Sequence, residues 1–317
     1  MCIRDRATAA AAGSDVGVGA SVVVTVIDGD ASALLARSVS AGGDVDVSSA
    51  ATVLATARAE SSAKGNSSGG RSSDEEANNQ VNNNPNNGGD QTLPSSQGQV
   101  DSANSQTSSE TGGTESSGTG VAASIAVQVL VMDNSARIAD NTVLTASGAV
   151  TVDAQADYNA LTEARGDAFD LSSDTGVGAA VGLAVVDASN TAAVGANAQV
   201  QGASVRVHAD RPGDAGEHEF RTWALAAGGG SDTGVGGSVA INVVTLDTRA
   251  SVGSDAQLRA TGGDLDVIAD QRTGLQTIAG AAGVSTGGSG VGASVGLNIV
   301  VEHTEATVGA GADLAGA

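Results

Sequence analysis

Large aromatic side chains are almost absent from this sequence. Phe, Trp and Tyr together make up 1% of the 317 residues, whereas Gly occurs 45 times. An aromatic side chain buries about 150–250 Å², and without it a core must be filled by Val, Ala, Leu and Ile. Such small side chains suit a thin core that extends along an axis, as in repeat proteins whose units contact only their neighbours. The composition therefore disfavours an ordinary globular domain.

Basic residues are also scarce. The 14 Lys and Arg residues stand against 36 Asp and Glu residues, the net charge is −22, and Lys64 is the single lysine. Nucleic-acid binding depends on Lys and Arg that neutralise phosphates, and docking on anionic lipid requires polybasic segments. We therefore expect no nucleic-acid partner and no membrane insertion. An acidic surface is typical of a soluble extracellular protein.

Cysteine and long apolar runs are missing as well. Cys2 is the only cysteine, which excludes a disulfide within the chain and a metal site built on several cysteines. The sequence has no run of 18 apolar residues, so we expect no transmembrane helix. Residues 1–6 (MCIRDR) are charged and unlike the rest, and we interpret them as a non-native start. Because the chain stops within a repeat, we expect a fragment of a longer protein.

One phrase occurs five times. Its copies begin at residues 17, 120, 176, 234 and 290, so successive starts lie 103, 56, 58 and 56 residues apart. They read GVGASVVVTV, GVAASIAVQV, GVGAAVGLAV, GVGGSVAINV and GVGASVGLNI. A fixed period of this size predicts a repeat architecture. The long first interval indicates an insert of roughly 47 residues relative to that period.

Each copy alternates with a period of two, which predicts a β-strand. We predict that the larger apolar positions face the core and that the small positions between them form a flat exposed face. In the fourth copy the apolar set is Val235, Gly237, Val239, Ile241 and Val243. The small exposed set is Gly178, Ala180, Gly236, Ser238, Gly292 and Ser294. If that face is exposed to solvent, replacing Ser238 and Ser294 by Lys should leave the fold intact.

The rest of each repeat contains two further phrases. The second phrase has short strands broken by Gly, Asp and Asn, which favour turns. The third phrase covers residues 50–60, 154–168, 219–228 and 271–285, where we prefer strands to short helices. Together the phrases predict an all-β parallel solenoid with two or three short-stranded coils of roughly 20 residues per repeat. A β-sandwich is the alternative, but it gives no reason for an ordered 56-residue phrase.

The insert separates two solenoid segments. Residues 7–60 and 119–317 carry the repeats, and residues 61–118 consist mainly of Ser, Gly, Asn, Gln, Thr and acidic residues. A segment with so few apolar side chains cannot offset its ordering entropy. We therefore predict a disordered loop, with a displayed binding loop or a cleavable linker as the functional alternative.

Glycine patterns in the repeats imitate two ligand-binding motifs. Gly176, Gly178 and Gly182, like Gly290, Gly292 and Gly296, resemble a dinucleotide fingerprint. A true fingerprint lies between a strand and a helix, whereas these glycines lie inside an alternating strand, so we assign them to the scaffold. The triplets Gly42-Gly43-Asp44 and Gly262-Gly263-Asp264 lack the full calcium nonapeptide. Calcium along acidic turns is therefore only a secondary expectation.

One segment is rich in potential metal ligands: His208, Asp210, Asp214, Glu217, His218 and Glu219. The other repeats lack these residues, and we interpret the segment as a solvated polar loop. We expect Trp223 to pack at the edge of the core, and His303 has no nucleophile motif beside it. We therefore predict no catalytic, cofactor-binding or metal-binding residues and no enzyme. A polysaccharide-active β-helix enzyme with paired carboxylates is the alternative.

The repeats resemble those of large filamentous-haemagglutinin-like and leukotoxin-type bacterial adhesins. The resemblance rests on the GVGAS phrase, on residues 250–260 and on GGDLDVIA at residues 262–269. It implies a structural stalk segment of a secreted adhesin at the bacterial cell surface. It also implies export by an outer-membrane translocator in two-partner or autotransporter secretion. Contact with host cells or surfaces would then be made by other parts of the parent protein, and no site residue is carried over.

Overall fold

The computed structural model describes residues 1–13, 15–64, 118–171, 173–212 and 216–317. These residues form seventeen β-strands in three sheets. All strand pairs in the sheets are parallel. The predicted all-β parallel solenoid is therefore confirmed. The predicted disordered insert lies almost entirely at residues 65–117, outside the described residues.

Each coil contributes a long strand to sheet B and a short strand to sheet C, followed in the first four coils by one long strand or two shorter strands in sheet A. Sheet B contains β2 (Val16–Leu35), β5 (Thr119–Ile138), β8 (Thr175–Val194), β12 (Thr233–Val252) and β16 (Ser289–Val308). Sheet C contains β3 (Val39–Ala41), β6 (Val143–Ala146), β9 (Gln199–Gly202), β13 (Gln257–Ala260) and β17 (Asp313–Ala315). Sheet A contains β1 (Cys2–Ala12), β4 (Val45–Lys64), β7 (Val150–Phe169), β10 (Val205–Asp210), β11 (His218–Gly230), β14 (Leu265–Ala269) and β15 (Thr273–Ser285).

One repeat makes one coil. Gly234 pairs with Gly176 on one side and with Gly290 on the other, so equivalent residues of successive repeats are direct neighbours. The prediction of two or three short coils per repeat was wrong, because the strands continue without a turn through Asp and Asn residues such as Asp187 and Asn190. A 20-residue strand is about 66 Å long, whereas each coil adds about 4.8 Å along the axis. The described part is therefore broad across its strands and short along its axis.

The predicted inward and outward faces of sheet B are reversed. Gly236 and Ser238 are buried in β12, whereas Val235 and Val239 point outward and are only partly covered. The reason is the close approach of the two long sheets, since a Cβ atom on Gly236 would lie 2.3 Å from the Ala282 carbonyl oxygen. Only residues with small side chains fit between the two sheets at these positions. Ser238 is 4% exposed, so the small-residue face is covered.

The core between sheets A and B tapers from one end to the other. Beside sheet C it contains Ile138, Leu144 and Val150, among other aliphatic side chains. Tyr158 and Phe220 lie farther along the strands, followed by a cluster composed mainly of alanines. At the far end the core narrows to Ala63, Ala122 and Ala168. This gradient explains how so few aromatic residues fill the interior.

A polar row crosses the core and fixes the register of the coils. Asn134 and Asn190 are paired neighbours in β5 and β8. The Asn134 Nδ2 donates to the Asn190 Oδ1 at 2.8 Å. The Asn190 Nδ2 donates to the carbonyl oxygens of Ala154 and Asp210 in sheet A, at 2.9 and 3.0 Å. A one-residue slip would turn these amides outward, so the row specifies one alignment.

The turn from sheet B to sheet C repeats the same backbone conformation. Asn141, Asn197 and Asp255 all have a φ of 57°, and Gly311 has a φ of 75°. Asn, Asp and Gly are the residues that enter this left-handed region most readily. The Asp140 carboxylate accepts a hydrogen bond from the Ala196 amide of the next coil at 2.9 Å. Turn residues therefore also hold adjacent coils together.

The predicted strands of the third phrase are confirmed, since β4, β7, β11 and β15 cover those segments. Residues 2–6, which we had set aside, form the first half of β1, and Arg6 pairs with Arg58 of β4. β4 continues to Lys64, beyond the predicted boundary at residue 60. After Lys64 the chain returns to sheet B at Thr119, beside Val16. The other corners of this kind are short, as between Gly230 and Thr233.

Candidate functional site: the outer faces of the long sheets

The outer face of sheet B carries a continuous apolar surface. It consists of every second residue, from the first to the last, in five ranges, and we call it the valine face. The ranges are 18–26 in β2, 121–129 in β5, 177–185 in β8, 235–243 in β12 and 291–299 in β16. Twenty of these 25 positions are Val, Ile or Leu, four are Ala and one is Gly. Aligned pairing places equivalent positions side by side, so the face forms five rows across five strands.

This apolar surface is accessible to solvent. Val26 is 65% exposed at one edge, Val295 is 59% exposed at the other, and Val181 in the central strand is 37% exposed. The row that borders one end of the face contains Thr119, Thr175, Thr233 and Ser289, with the exposed Val16 as its member in β2. The row that borders the other end alternates Asp28 and Asp187 with Val131, and continues with Thr245 and Val301. A contiguous exposed apolar patch of this size is typical of an interaction site.

The outer face of sheet A is polar by contrast. Arg58 binds Glu60 through its Nε at 2.7 Å and Glu163 through its Nη2 at 3.1 Å. Arg6 also reaches Glu60, with its Nη2 2.7 Å from the Oε2. Burial alone would raise the pKa of Glu60, but the Arg6 and Arg58 guanidinium groups lower it below its usual value. The apolar surface is therefore a property of one face and not of the whole molecule.

Sheet A is interrupted between β10 and β11 in the third coil. β10 ends at Asp210 opposite Gln155, and β11 is paired from Glu219 opposite Asn159, so eight residues of the chain separate these strand residues where β7 has three. The Arg211 guanidinium contacts the Asp157 carboxylate. It also donates to the Gly216 carbonyl oxygen at 2.8 Å. Arg211 and Gly216 belong to the segment in which the sequence shows potential metal ligands.

His218 lies in the core and not in a solvated turn, so our interpretation of the whole segment as a solvated loop was wrong for this residue. It is 4% exposed and stacks between Tyr158 and Phe220, with ring centroids 5.5 and 6.3 Å away. Its Nδ1 accepts a hydrogen bond from the Tyr158 backbone amide at 3.1 Å, which requires a neutral ring nitrogen. Burial and the nearby Arg211 guanidinium lower the pKa of His218 to about 4. His218 therefore has a structural role in the neutral form.

The remaining potential ligands do not converge with His218. His208 and Asp210 lie on the outer face of sheet A, where the His208 Nδ1 is 3.8 Å from the Asp210 Oδ2. Asp153 pairs with His208 in the neighbouring strand, and its burial and the Asp210 charge raise its pKa. Asp214 lies outside the described residues. In the part of the chain that the structure describes, no group of three or more His, Cys, Asp and Glu side chains is placed to hold a metal ion.

The other residues singled out in the sequence belong to the scaffold. Gly176, Gly178 and Gly182 lie inside β8, as expected. Asp44 accepts a hydrogen bond from the Ala149 amide of the next coil at 2.8 Å, so its carboxylate joins two coils. Trp223 was expected at the edge of the core, but it lies on the outer face of sheet A, where its Nε1 donates to the Gln276 Oε1 at 3.2 Å.

Comparison with known proteins leaves the family open. The chain has no significant match among protein-family models, curated proteins or solved structures. Within the described ranges, no helix is long and apolar enough to cross a membrane. The resemblance to adhesin repeats therefore stays a prediction from the sequence.

Sequence reasoning missed the valine face because it assigned those residues to the core. The alternation locates two faces but does not say which of them is inside. The amide residues Gln128, Asn134, Asn190 and Asn242 occur in the same alternation as the glycines, and a hydrophobic rule places that set outside. The structure places all four side chains in the interior.

Proposed function

We propose that this chain is a non-catalytic structural segment of a secreted or surface-exposed bacterial adhesin. In this role it supports other parts of the parent protein, which make the contacts with host cells or surfaces. An outer-membrane translocator exports the parent protein. The acidic composition, with a net charge of −22, suits a soluble extracellular segment.

The observation that carries this proposal is the pairing of like residues in successive repeats. Over the whole of β12, each residue pairs with its equivalent in β8 and in β16. Neighbouring coils are joined by long parallel ladders in sheets A and B and by a short one in sheet C. Separating two coils requires the rupture of these backbone hydrogen bonds together, and buried hydrogen bonds are costly to leave unmade. Such an arrangement resists force along the stack.

Single-molecule force spectroscopy on the full chain, held at its two ends, tests the structural role. A coil of 56 residues should release a contour length of about 190–200 Å when it detaches, at about 3.3–3.6 Å per residue. We expect discrete steps of about this size, or of whole multiples of it, from the coils that begin at Gly120, Gly176 and Gly234, whereas the first interval is 103 residues long. Smooth extension at low force, without steps, would contradict a load-bearing role.

Surface location is tested separately with antibodies raised against the purified chain. Intact cells that carry the gene should be labelled, with an antibody to a cytoplasmic enzyme as the control that labels only lysed cells. Labelling that requires lysis would overturn the proposed location.

Two further assays address the alternatives. Turnover of an anionic polysaccharide by the purified chain would replace the structural proposal by the enzymatic one. A rise in melting temperature on adding calcium, reversed by a chelator, would indicate a calcium-stiffened module.

A further inference from the structure

The valine face is large enough to be a protein interface. We infer that two copies of this chain pack through their valine faces, with the strands of the two facing sheets antiparallel. This pairing goes beyond the proposed structural role and does not rest on it. The partner follows from three properties of the face, which are its area, the sizes of its rows and the charges at its ends.

The area matches that of a stable dimer. Five strands about 4.8 Å apart span about 24 Å, and nine residues along a strand span about 30 Å. Each copy would therefore cover about 700 Å², close to the roughly 800 Å² per partner of a standard protein interface. The covered positions are apolar in all five strands. Two flat sheets that pack face to face are the arrangement found in β-sandwiches.

The sizes of the rows select the antiparallel arrangement. In β8 the second row of the face holds Ala179, the central row Val181 and the fourth row Leu183. The same order is found in β12, where these rows hold Gly237, Val239 and Ile241. With a two-fold axis along the stacking direction through the central row, the small second row of one copy faces the large fourth row of the other. With parallel strands, small would face small and large would face large, which leaves gaps and clashes.

Charge favours the same arrangement. Asp28 and Asp187 border the face at its fifth row, whereas Thr119, Thr175 and Thr233 border it at its first row. The antiparallel dimer places Asp187 of one copy over Thr175 of the other, where the hydroxyl group can donate a hydrogen bond to the carboxylate, and it places Asp28 over the apolar Val16. Parallel strands would place the Asp187 carboxylates of both copies together. The two copies of Asp187 are about 40 Å apart along the strands in the antiparallel dimer, well beyond the screening length of about 8 Å at physiological salt.

A matched pair of leucine variants tests whether the face associates. Leu183 lies on the valine face in β8, and Leu161 lies on the outer face of sheet A in β7. Both leucines point outward and are partly covered, so Asp at either position has a similar intrinsic cost to its strand. By sedimentation equilibrium we expect the wild type and Leu161→Asp to be dimers at micromolar concentration and Leu183→Asp to be a monomer. A monomeric wild type would overturn the proposal, as would equal association of the two variants.

Cysteine cross-linking tests the orientation in a background in which the exposed Cys2 is replaced by Ser. In the antiparallel dimer Val181→Cys faces its own copy, and a short bismaleimide should link it. Val177→Cys should not link to itself, because its copy lies about 26 Å away along the strand, but it should link to Val185→Cys in a mixed sample. Self-linking of Val177→Cys would overturn the antiparallel arrangement.

A lipid surface is the competing occupant of an exposed apolar face. Flotation with neutral phosphatidylcholine vesicles decides between the two, with Leu183→Asp as the control. We expect no flotation of the wild type. Flotation that the substitution abolishes would overturn pairing with a second copy. The force measurement is repeated on monomeric Leu183→Asp, so that failure of pairing and failure of the structural role are distinguished.

Discussion

Two adjacent glycines in β12 provide a direct test of which side of sheet B is buried. A Cβ atom on Gly236 would lie 2.3 Å from the Ala282 carbonyl oxygen, whereas one on Gly237 would meet no atom within 4 Å. Alanine at either position reduces the freedom of the unfolded chain by a similar amount, which stabilises by about 0.4–1 kcal/mol. That contribution cancels in the comparison. The difference between the two variants therefore isolates the clash.

The clash at Gly236 involves backbone atoms, which cannot turn aside as a flexible side chain can. The sheets must separate locally by about 1 Å to reach ordinary contact, and overpacking of this kind costs about 1–3 kcal/mol. We therefore expect Gly236→Ala to be less stable than Gly237→Ala by about 1–3 kcal/mol. Gly237→Ala should equal or exceed the wild type in stability.

Urea denaturation followed by far-ultraviolet circular dichroism measures this difference. The slope with urea should be the same for both variants, so that the shift in midpoint reports stability alone. Both variants should also be made in the Leu183→Asp background, since Gly237 lies on the valine face and association would add to the measured stability. Equal midpoints for the two variants, or the reverse order, would refute the assignment of the buried face.

Two further predictions concern buried polar groups. Asn190→Ala should lower the free energy of unfolding by about 2–4 kcal/mol, because it removes one of the two acceptors of the Asn134 Nδ2 and the side-chain donor to two carbonyl oxygens, whereas unchanged stability in urea denaturation would contradict the role of this row. His218 should make folding sensitive to acid, because burial lowers its pKa to about 4 and the unfolded chain then binds the proton at a higher pH than the folded chain. Relative to a usual pKa of about 6.5, stability should fall by up to about 3 kcal/mol as the pH drops from 6.5 to 4. His218→Phe should remove this component of the pH profile, and the exposed His303→Gln is the control that should leave it unchanged.

The sequence was sufficient to predict the architecture because the repeated phrase returns at nearly constant intervals of 56 to 58 residues after Gly120. Copies such as those at Gly234 and Gly290 lie 56 residues apart and align without gaps. Stacking of like on like follows directly from that regularity. The turn positions could also be predicted from the sequence, since Asn197 and Asp255 occupy the left-handed conformation that these residue types favour.

The interior could not be predicted from the sequence because it depends on contacts between distant segments. A hydrophobic rule places Val239 inside and Ser238 outside. The close spacing between sheets A and B instead buries Ser238 and leaves Val239 on the outer face. That spacing follows from backbone contacts such as the one between Gly236 and Ala282, which are 46 positions apart. The candidate interface was missed for the same reason. The environment of His218 was misjudged because its aromatic neighbour Tyr158 lies 60 residues away.

At the corner between sheet A and sheet B, the alignment of the coils does not depend on how many residues connect the two strands. In one coil 53 residues, 65–117 inclusive, intervene near this corner, yet Thr119 still pairs with Val16 in the same alignment that Thr175 keeps with Thr119. A foreign peptide grafted between Gly230 and Thr233 would meet the same geometry. The corner is therefore a suitable insertion site for epitopes or whole enzymes. Insertions in successive coils would be spaced one strand apart along the stack.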